Sequence, residues 1–312
     1  MGAEVHLADL QTLRRMRGVR PAAEIARGCD LLYSHTSVPG EILGARVARH
    51  AGIPHIVHRH TDPHFSPRRV TRRIQEWLYR RELRATPFIA VAPHVAASLE
   101  RRGIERQRIS VVPNGVDVDA IRERGHRSQT RSEKRAVGLL GRLDPAQKGQ
   151  DVFIESVRQL NAPGVRFVIG GARGPFLDSE AAVRRTAAEA GIAIEDPGSA
   201  GVEFLASLDI VVIPSRYEGS PLTLFEAMAL SKPIIASRIP GIAEVLQPSG
   251  AGVLVPPDDA DALASAIASL IADTARREAL GRIALEAVRR EHDLAHVLDR
   301  VVEVLRRAAQ IS

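Results

Sequence analysis

Short apolar runs recur along the chain. Each is followed by a longer stretch whose apolar positions fall three and four residues apart. The first pattern reads as a buried strand and the second as an amphipathic helix. Strands are expected at residues 4–8, 30–34, 54–60, 88–92 and 109–112, with helices at 21–28, 41–51, 68–85 and 94–102 between them. The polar stretch 122–135, rich in Arg, Ser, Gln and Glu, reads as a linker. A second alternating run follows, with strands at 136–140, 165–169, 208–213, 233–236 and 252–255. Its helices are expected at 151–160, 178–190, 221–230, 258–272, 274–290 and 293–309, with Asp258 as a cap. Such alternation predicts an α/β fold with parallel sheets covered on both faces.

A chain of 312 residues with 45% hydrophobic content can build two domains with real cores. Two such halves would enclose a cleft, where α/β sheets bind ligands. Charge is unevenly placed. Residues 1–135 hold 25 Lys and Arg against 14 Asp and Glu, and the remainder 18 against 23. The basic half suits anionic lipid or anionic substrates, or is simply a solvated arginine-rich surface. Zinc-finger spacing, RNP-like aromatics and a helix-turn-helix pattern are not seen, which argues against nucleic acid. Cys29 is alone, no apolar run reaches membrane-spanning length, and the start lacks a leader-like pattern. The expected location is the cytoplasm, with peripheral attraction to the inner face of the membrane as an addition.

Residues 214–229, PSRYEGSPLTLFEAMA, carry the densest chemistry. They follow the β-branched run Leu208–Ile213 and read as a tight loop opening a helix, with Ser220 as N-cap and Pro221 at the first helical position. Leu222, Leu224, Phe225, Met228 and Leu230 surround that helix, so it should be buried, yet it carries Glu226. The amides of Leu222 and Thr223 belong to a first turn that binds anions well. Glu226 lies roughly 9 Å farther in at 1.5 Å per residue, as an acceptor for hydroxyls. Glu218 sits at the mouth. Phosphate, polyol and carboxylate together suggest a nucleotide-sugar. The plainer reading is a buried strand-helix turn whose Glu226 is satisfied by its neighbours.

The spacing of Glu218 and Glu226 resembles the E-x7-E signature of the retaining glycosyltransferases of family 4. Further motifs agree: VVPNGVD at 111–117, GRLDPAQKG at 141–149, KPIIAS at 232–237 and the stretch 241–244. The resemblance runs from about Asp30 to the end. It implies a GT-B fold of two Rossmann-like domains facing a cleft, the first shortened at its N-terminus, since residues 4–8 look like a later strand. The implied boundaries are 1–120 for the acceptor side and 121–290 for the donor side, with 291–312 crossing back to the first domain. The implied reaction moves a hexosyl or related group from a nucleotide-diphosphate-sugar to a sugar, lipid-linked or small-molecule hydroxyl, with no metal and no organic cofactor. Arg142 and Lys148 would hold the diphosphate, helped by the backbone of Gly219, Ser220, Pro221, Leu222 and Thr223. Glu226 would take the ribose hydroxyls and Glu218 the sugar. His60, matching the family's strand-end histidine after Pro54, would touch the donor sugar.

Several features stay open. His55, His58, His60 and His64 with Asp62 could bind a metal, though the spacing matches no closed site. His58 could equally be a core histidine, and His35 a further cleft residue. The glycines at 170, 171 and 174, with Arg173, could lie near the nucleobase or simply turn the chain. Val70, Ile74, Trp77 and Leu78 form a stripe on a basic helix that packs on the sheet or meets an anionic membrane. Alternatives to transfer are a nucleotide-sugar-binding protein without turnover and a nucleotide-sugar epimerase.

Overall fold

The computed structural model describes residues 19–35, 37–62, 69–127, 134–171 and 177–310. Contacts divide the chain into two units, 1–113 with 299–312, and 114–298. The strand expected at residues 4–8, His64 and residues 173–174 lie outside the described residues.

The first unit is built on four parallel strands in chain order: β1 (Leu32–Ser34), β2 (His55–Arg59), β3 (Phe88–Ala90) and β4 (Ile109–Val111). All five residues of β2 and all three of β3 are buried, as befits strands covered on both faces. Helices α1 (Val19–Ala26), α2 (Val38–Ala51), α3 (Arg69–Leu83) and α4 (Pro93–Arg101) supply the cover. Helix α2 starts three residues before the expected position because Pro39 suits the first helical turn. It stops at Gly52, whose φ of +74° admits the amide bond to the Ala48 carbonyl. On α3 the expected stripe does not face the sheet. Tyr79 and Leu83 are fully buried, whereas Ile74 and Trp77 are more than half exposed. The side chain of Val70 lies outside the described ones.

The second unit holds α5 (Val118–Arg127), β5 (Arg135–Leu140), α6 (Pro145–Lys148), α7 (Gln150–Arg158), β6 (Val165–Gly170), α8 (Leu177–Glu189), β7 (Ala193–Glu195) and α9 (Gly201–Ala206). It continues with β8 (Ile210–Ile213), α10 (Leu222–Ala229), β9 (Ile234–Ser237), α11 (Pro240–Ser249), β10 (Val253–Val255), α12 (Ala260–Ala272) and α13 (Thr274–Glu291). The last helix, α14, spans Leu294–Ala309. Six parallel strands run in the order β10-β9-β8-β5-β6-β7. Strand β8 shows why both faces need cover. Val211 and Ile213 join one apolar cluster with Leu224, Phe225 and Met228, and Ile210 and Val212 join another with Phe153 and Leu263.

Three expectations are corrected. The linker at 122–135 is helical as far as Arg127, because Ile121 is buried and the Asp117 carboxylate accepts from the Ala120 amide at 2.9 Å. Elements β7, α9 and α11 were not anticipated. Helix α12 is capped by Asp259, which accepts from the Ala262 amide at 2.8 Å, not by Asp258. Asp258 instead adopts φ of +61° and pairs with Arg216 at 2.7 Å.

Candidate functional site

Strand order reverses where β5 pairs with β8, Val137 opposite Ile210. Loops leaving the carboxyl ends of these neighbouring strands diverge there, and such switch points are where open α/β sheets bind ligands. The loop after β5 carries residues 141–149, with a single helical turn, α6, inside what reads from sequence as plain loop. The loop after β8 carries residues 214–221 and opens α10.

The two loops are locked together. Gly149 has φ of +66°, and a Cβ there would lie 2.0 Å from the Pro214 carbonyl oxygen. Only glycine allows that approach. Arg216 grips Asp151 through two bonds of 2.8 Å, reaches the Pro145 carbonyl, and pairs with Asp258. A Cβ on Gly241, in the first turn of α11, would meet the Glu218 and Gly219 carbonyls at 2.5 Å each. The segment 214–221 is thus clamped from both sides.

Within this frame Lys148 Nζ lies 2.6 Å from Glu218 Oε1, and Ser215 Oγ donates to the same oxygen at 2.9 Å. The Lys148 and Glu218 side chains retain 20% and 8% of their exposure, so the pair is largely buried but not sealed. Arg142 is held at both ends: Gln147 Oε1 accepts from Nη2 at 3.0 Å, and buried Gln150 donates to its carbonyl at 2.6 Å.

Helix α10 begins one residue later than expected. Pro221 is the N-cap and no side chain caps the turn. Ser220 is turned instead to Asn114, whose amide donates to Ser220 Oγ at 3.4 Å and whose Nδ2 donates to the Ser220 carbonyl at 2.8 Å. Helix α10 is buried along Leu224, Phe225, Ala227, Met228 and Ala229, but Leu222 is 50% exposed, contrary to burial all round. His292 stacks on Phe225 with centroids 4.1 Å apart.

Glu226 lines a pocket of about 360 Å³ with Arg124, Leu140, Arg142, Gly171 and the turn 196–199. Among the described residues it forms no ion pair. Burial raises its pKa, and Arg124 counters in part. Arg124 itself is committed to Glu203 through bonds of 2.9 and 2.8 Å and to the Ser199 carbonyl at 3.1 Å. The sequence reading missed Arg124, which stood inside the expected linker, and the turn at 196–199. The Asp196-Pro197-Gly198 run was the available signal for the turn; Arg124 had none. Gly171 reaches this pocket, whereas Gly170 packs against Phe204, where a Cβ would meet the ring at 2.5 Å.

The first unit contributes a separate histidine cluster. His58 and His60 stack with centroids 4.4 Å apart, and His35 Nδ1 lies 3.1 Å from His60 Nε2. Tyr33 Oη lies 2.6 Å from His58 Nδ1, and Ser34 Oγ lies 2.9 Å from His55 Nε2. Desolvation lowers His58 to about 3, with His60 and His35 adding to the shift. His60 is lowered to about 4 by desolvation, then by His35 and Arg59, although one side of the ring is open to solvent. These rings are neutral at pH 7. Nitrogens of His35, His58 and His60 all lie within 4.8 Å of one another, and among the described residues Asp62 does not join them. Beneath them Arg59 pairs with Glu41 at 2.5 Å, with exposures of 5% and 0%. Burial raises the Glu41 pKa, and Arg59 and the Tyr79 hydroxyl oppose the shift.

Two family models match. "Glycosyltransferase Family 4" covers residues 2–120 and "Glycosyl transferases group 1" covers 134–273. Together they span most of the chain, which belongs to the group 1, family 4 glycosyltransferases. The D-inositol 3-phosphate glycosyltransferase of Segniliparus rotundus is 31% identical over 56% of this chain and 42% of its own length. That of Nocardia farcinica is 29% identical over 67% and 51%. The alpha-D-kanosaminyltransferase of Streptomyces kanamyceticus is 24% identical over 83% and 72%. This chain therefore spans about half the length of the first curated relatives it matches. Among solved structures, Anabaena HepE in complex with UDP superposes with a TM-score of 0.80 at 20% identity, over 92% of this chain and 81% of that one. Sucrose-phosphate synthase from Thermosynechococcus elongatus gives 0.79 at 21% identity, over 97% and 79%. The fold is GT-B, an α/β class.

Proposed function

We propose that this protein is a retaining glycosyltransferase that moves a sugar from a nucleotide-diphosphate-sugar to an acceptor hydroxyl without a metal ion. The observation that carries this reading is the clamped pair of loops at the β5–β8 switch point: Lys148, Glu218, Pro221 and Thr223 line one small cavity, and Arg142 and Glu226 line a second that shares Leu140 with it. A diphosphate drawn there meets two cations and free amides, which replace its lost hydration. Its negative charge would take over Lys148, freeing Glu218 for sugar hydroxyls. Glu226 would accept from the ribose hydroxyls, and neutral His60 would contact the sugar as donor or acceptor.

In the reaction the acceptor oxygen bonds to the anomeric carbon from the face the leaving group departs. The bond from that carbon to the β-phosphate oxygen breaks, and the nucleoside diphosphate leaves with the electron pair. A phosphate oxygen takes the acceptor proton. Lys148, Arg142 and the amides stabilise the charge that grows on the diphosphate.

The Anabaena structures with UDP and UDP-glucose make UDP-sugars the first donors to try. The test is a melting-temperature screen of UDP-, GDP- and ADP-sugars, followed by product analysis by NMR. Transfer that depends on Lys148 and Glu218 supports the proposal. Donor binding with no transfer marks a binding protein, and a changed sugar on the same nucleotide marks an epimerase. Either would overturn it.

A further inference from the structure

Helix α3 bears a surface that the donor site leaves unused. Ile74 and Trp77 are 54% and 56% exposed, turned away from the buried Tyr79 and Leu83. Arg73, Arg80 and Arg81 lie three or four positions from Trp77 and are all exposed, so they flank the two apolar side chains on one helical face, and exposed Arg84 follows the last residue of the helix. Arg81 Cζ stands 5.2 Å from the Trp77 ring centroid. The helix holds five arginines and two glutamates. Its acids are already answered: Glu82 by Arg46 at 3.1 Å and Arg49 at 2.9 Å, Glu76 by Arg72 at 3.9 Å. What remains is a basic rim around an apolar ridge.

We infer that α3 lies on an anionic phospholipid surface, with Ile74 and Trp77 in the headgroup boundary and the flanking arginines on lipid phosphates. Tryptophan is at home at that depth, and arginines at a charged leaflet add attraction. An amphipathic helix in the interface plane has this composition. A nucleic acid would leave Ile74 without a partner. Among the described residues no helix is long and apolar enough to cross a membrane.

Trp77 is the only tryptophan in the chain, so its emission reports the contact directly. The full chain is mixed with vesicles of phosphatidylglycerol and phosphatidylcholine, or of phosphatidylcholine alone. The expected result is a blue shift and co-sedimentation with the anionic vesicles only, reversed by high salt. Arg80→Gln with Arg81→Gln weakens vesicle affinity about 25-fold, at roughly fivefold per arginine, while far-UV circular dichroism is unchanged. Ile74→Ser, which leaves every charge in place, weakens it by roughly tenfold. Unshifted emission without co-sedimentation overturns the proposal, as does equal affinity in the arginine variant. So does a shift produced by single-stranded RNA or an acidic protein and not by vesicles. None of these readouts needs turnover, so their failure is distinct from failure of the proposed enzymatic reaction.

Discussion

Among the described residues each unit contains a short carboxylate–cation pair with both partners largely buried, and the two differ in what surrounds them. Arg59–Glu41 spans 2.5 Å with both side chains almost wholly buried, beneath the histidine cluster and beside Tyr79. Lys148–Glu218 spans 2.6 Å but keeps part of its surface open, next to an uncapped helix turn. A sealed pair has no route to a new partner, so it serves the wall that holds it. A pair that keeps an opening can exchange its partner for a ligand of the same charge, which is the use the proposed reaction makes of Lys148. Similar bond lengths can therefore serve opposite ends, and access decides which.

The sharpest way to break this contrast is to remove one cation from each pair. Arg59→Met strands Glu41 in a dry site, with an expected stability loss of about 3–5 kcal/mol, measured by urea unfolding. Lys148→Ala leaves Glu218 largely buried but still bonded to Ser215 and beside an opening. Stability should fall by about 1–3 kcal/mol, less than for Arg59→Met, while turnover falls on the order of 100- to 1000-fold. If Lys148→Ala unfolds the protein as Arg59→Met does, the contrast is lost.

A smaller effect belongs to Glu226→Gln. It removes a charged acceptor worth roughly 1.5–3 kcal/mol, so donor KM should rise about 10- to 100-fold with a lesser change in kcat. Equal loss in both would place Glu226 in the chemistry and not in ribose binding.

Titration separates the units more gently. His55 and His60 are lowered to about 4 and His58 to about 3 by desolvation, against an ordinary value of 6.5. As pH falls below 6.5 the unfolded chain takes up protons that the folded state refuses. Stability is therefore whole above that pH and declines progressively as pH falls toward 4. Urea midpoints across that window should show the slope, and His58→Gln should flatten it. The smallest expected effect is that of EDTA. Chelation should leave turnover unchanged, and a loss restored by a divalent cation would end the metal-free reading.

Much of this was legible in one dimension. Strand β8 and helix α10 announce themselves by β-branched and apolar periods, and the two glutamates stand eight positions apart on the page. Helix α5 was hidden because its arginines look like a linker while one buried residue, Ile121, anchors it. The face of α3 was misjudged because Ile74 and Trp77 are as apolar as Tyr79 and Leu83; pattern alone does not say which side the sheet takes. Arg124 carried no signal, since its partner Glu203 stands 79 positions away.

Local chemistry was enough to determine that this chain alternates strands and helices and that α2 stops at Gly52. Those properties depend on side-chain periods and on backbone groups a few residues apart. Only the tertiary structure decided that Lys148 reaches Glu218 across 70 positions, that Arg216 ties three segments together, and that Glu226 has no ion-pair partner among the described residues. Long-range pairing is settled by which surfaces lose water together, and that competition is resolved only when the whole unit packs.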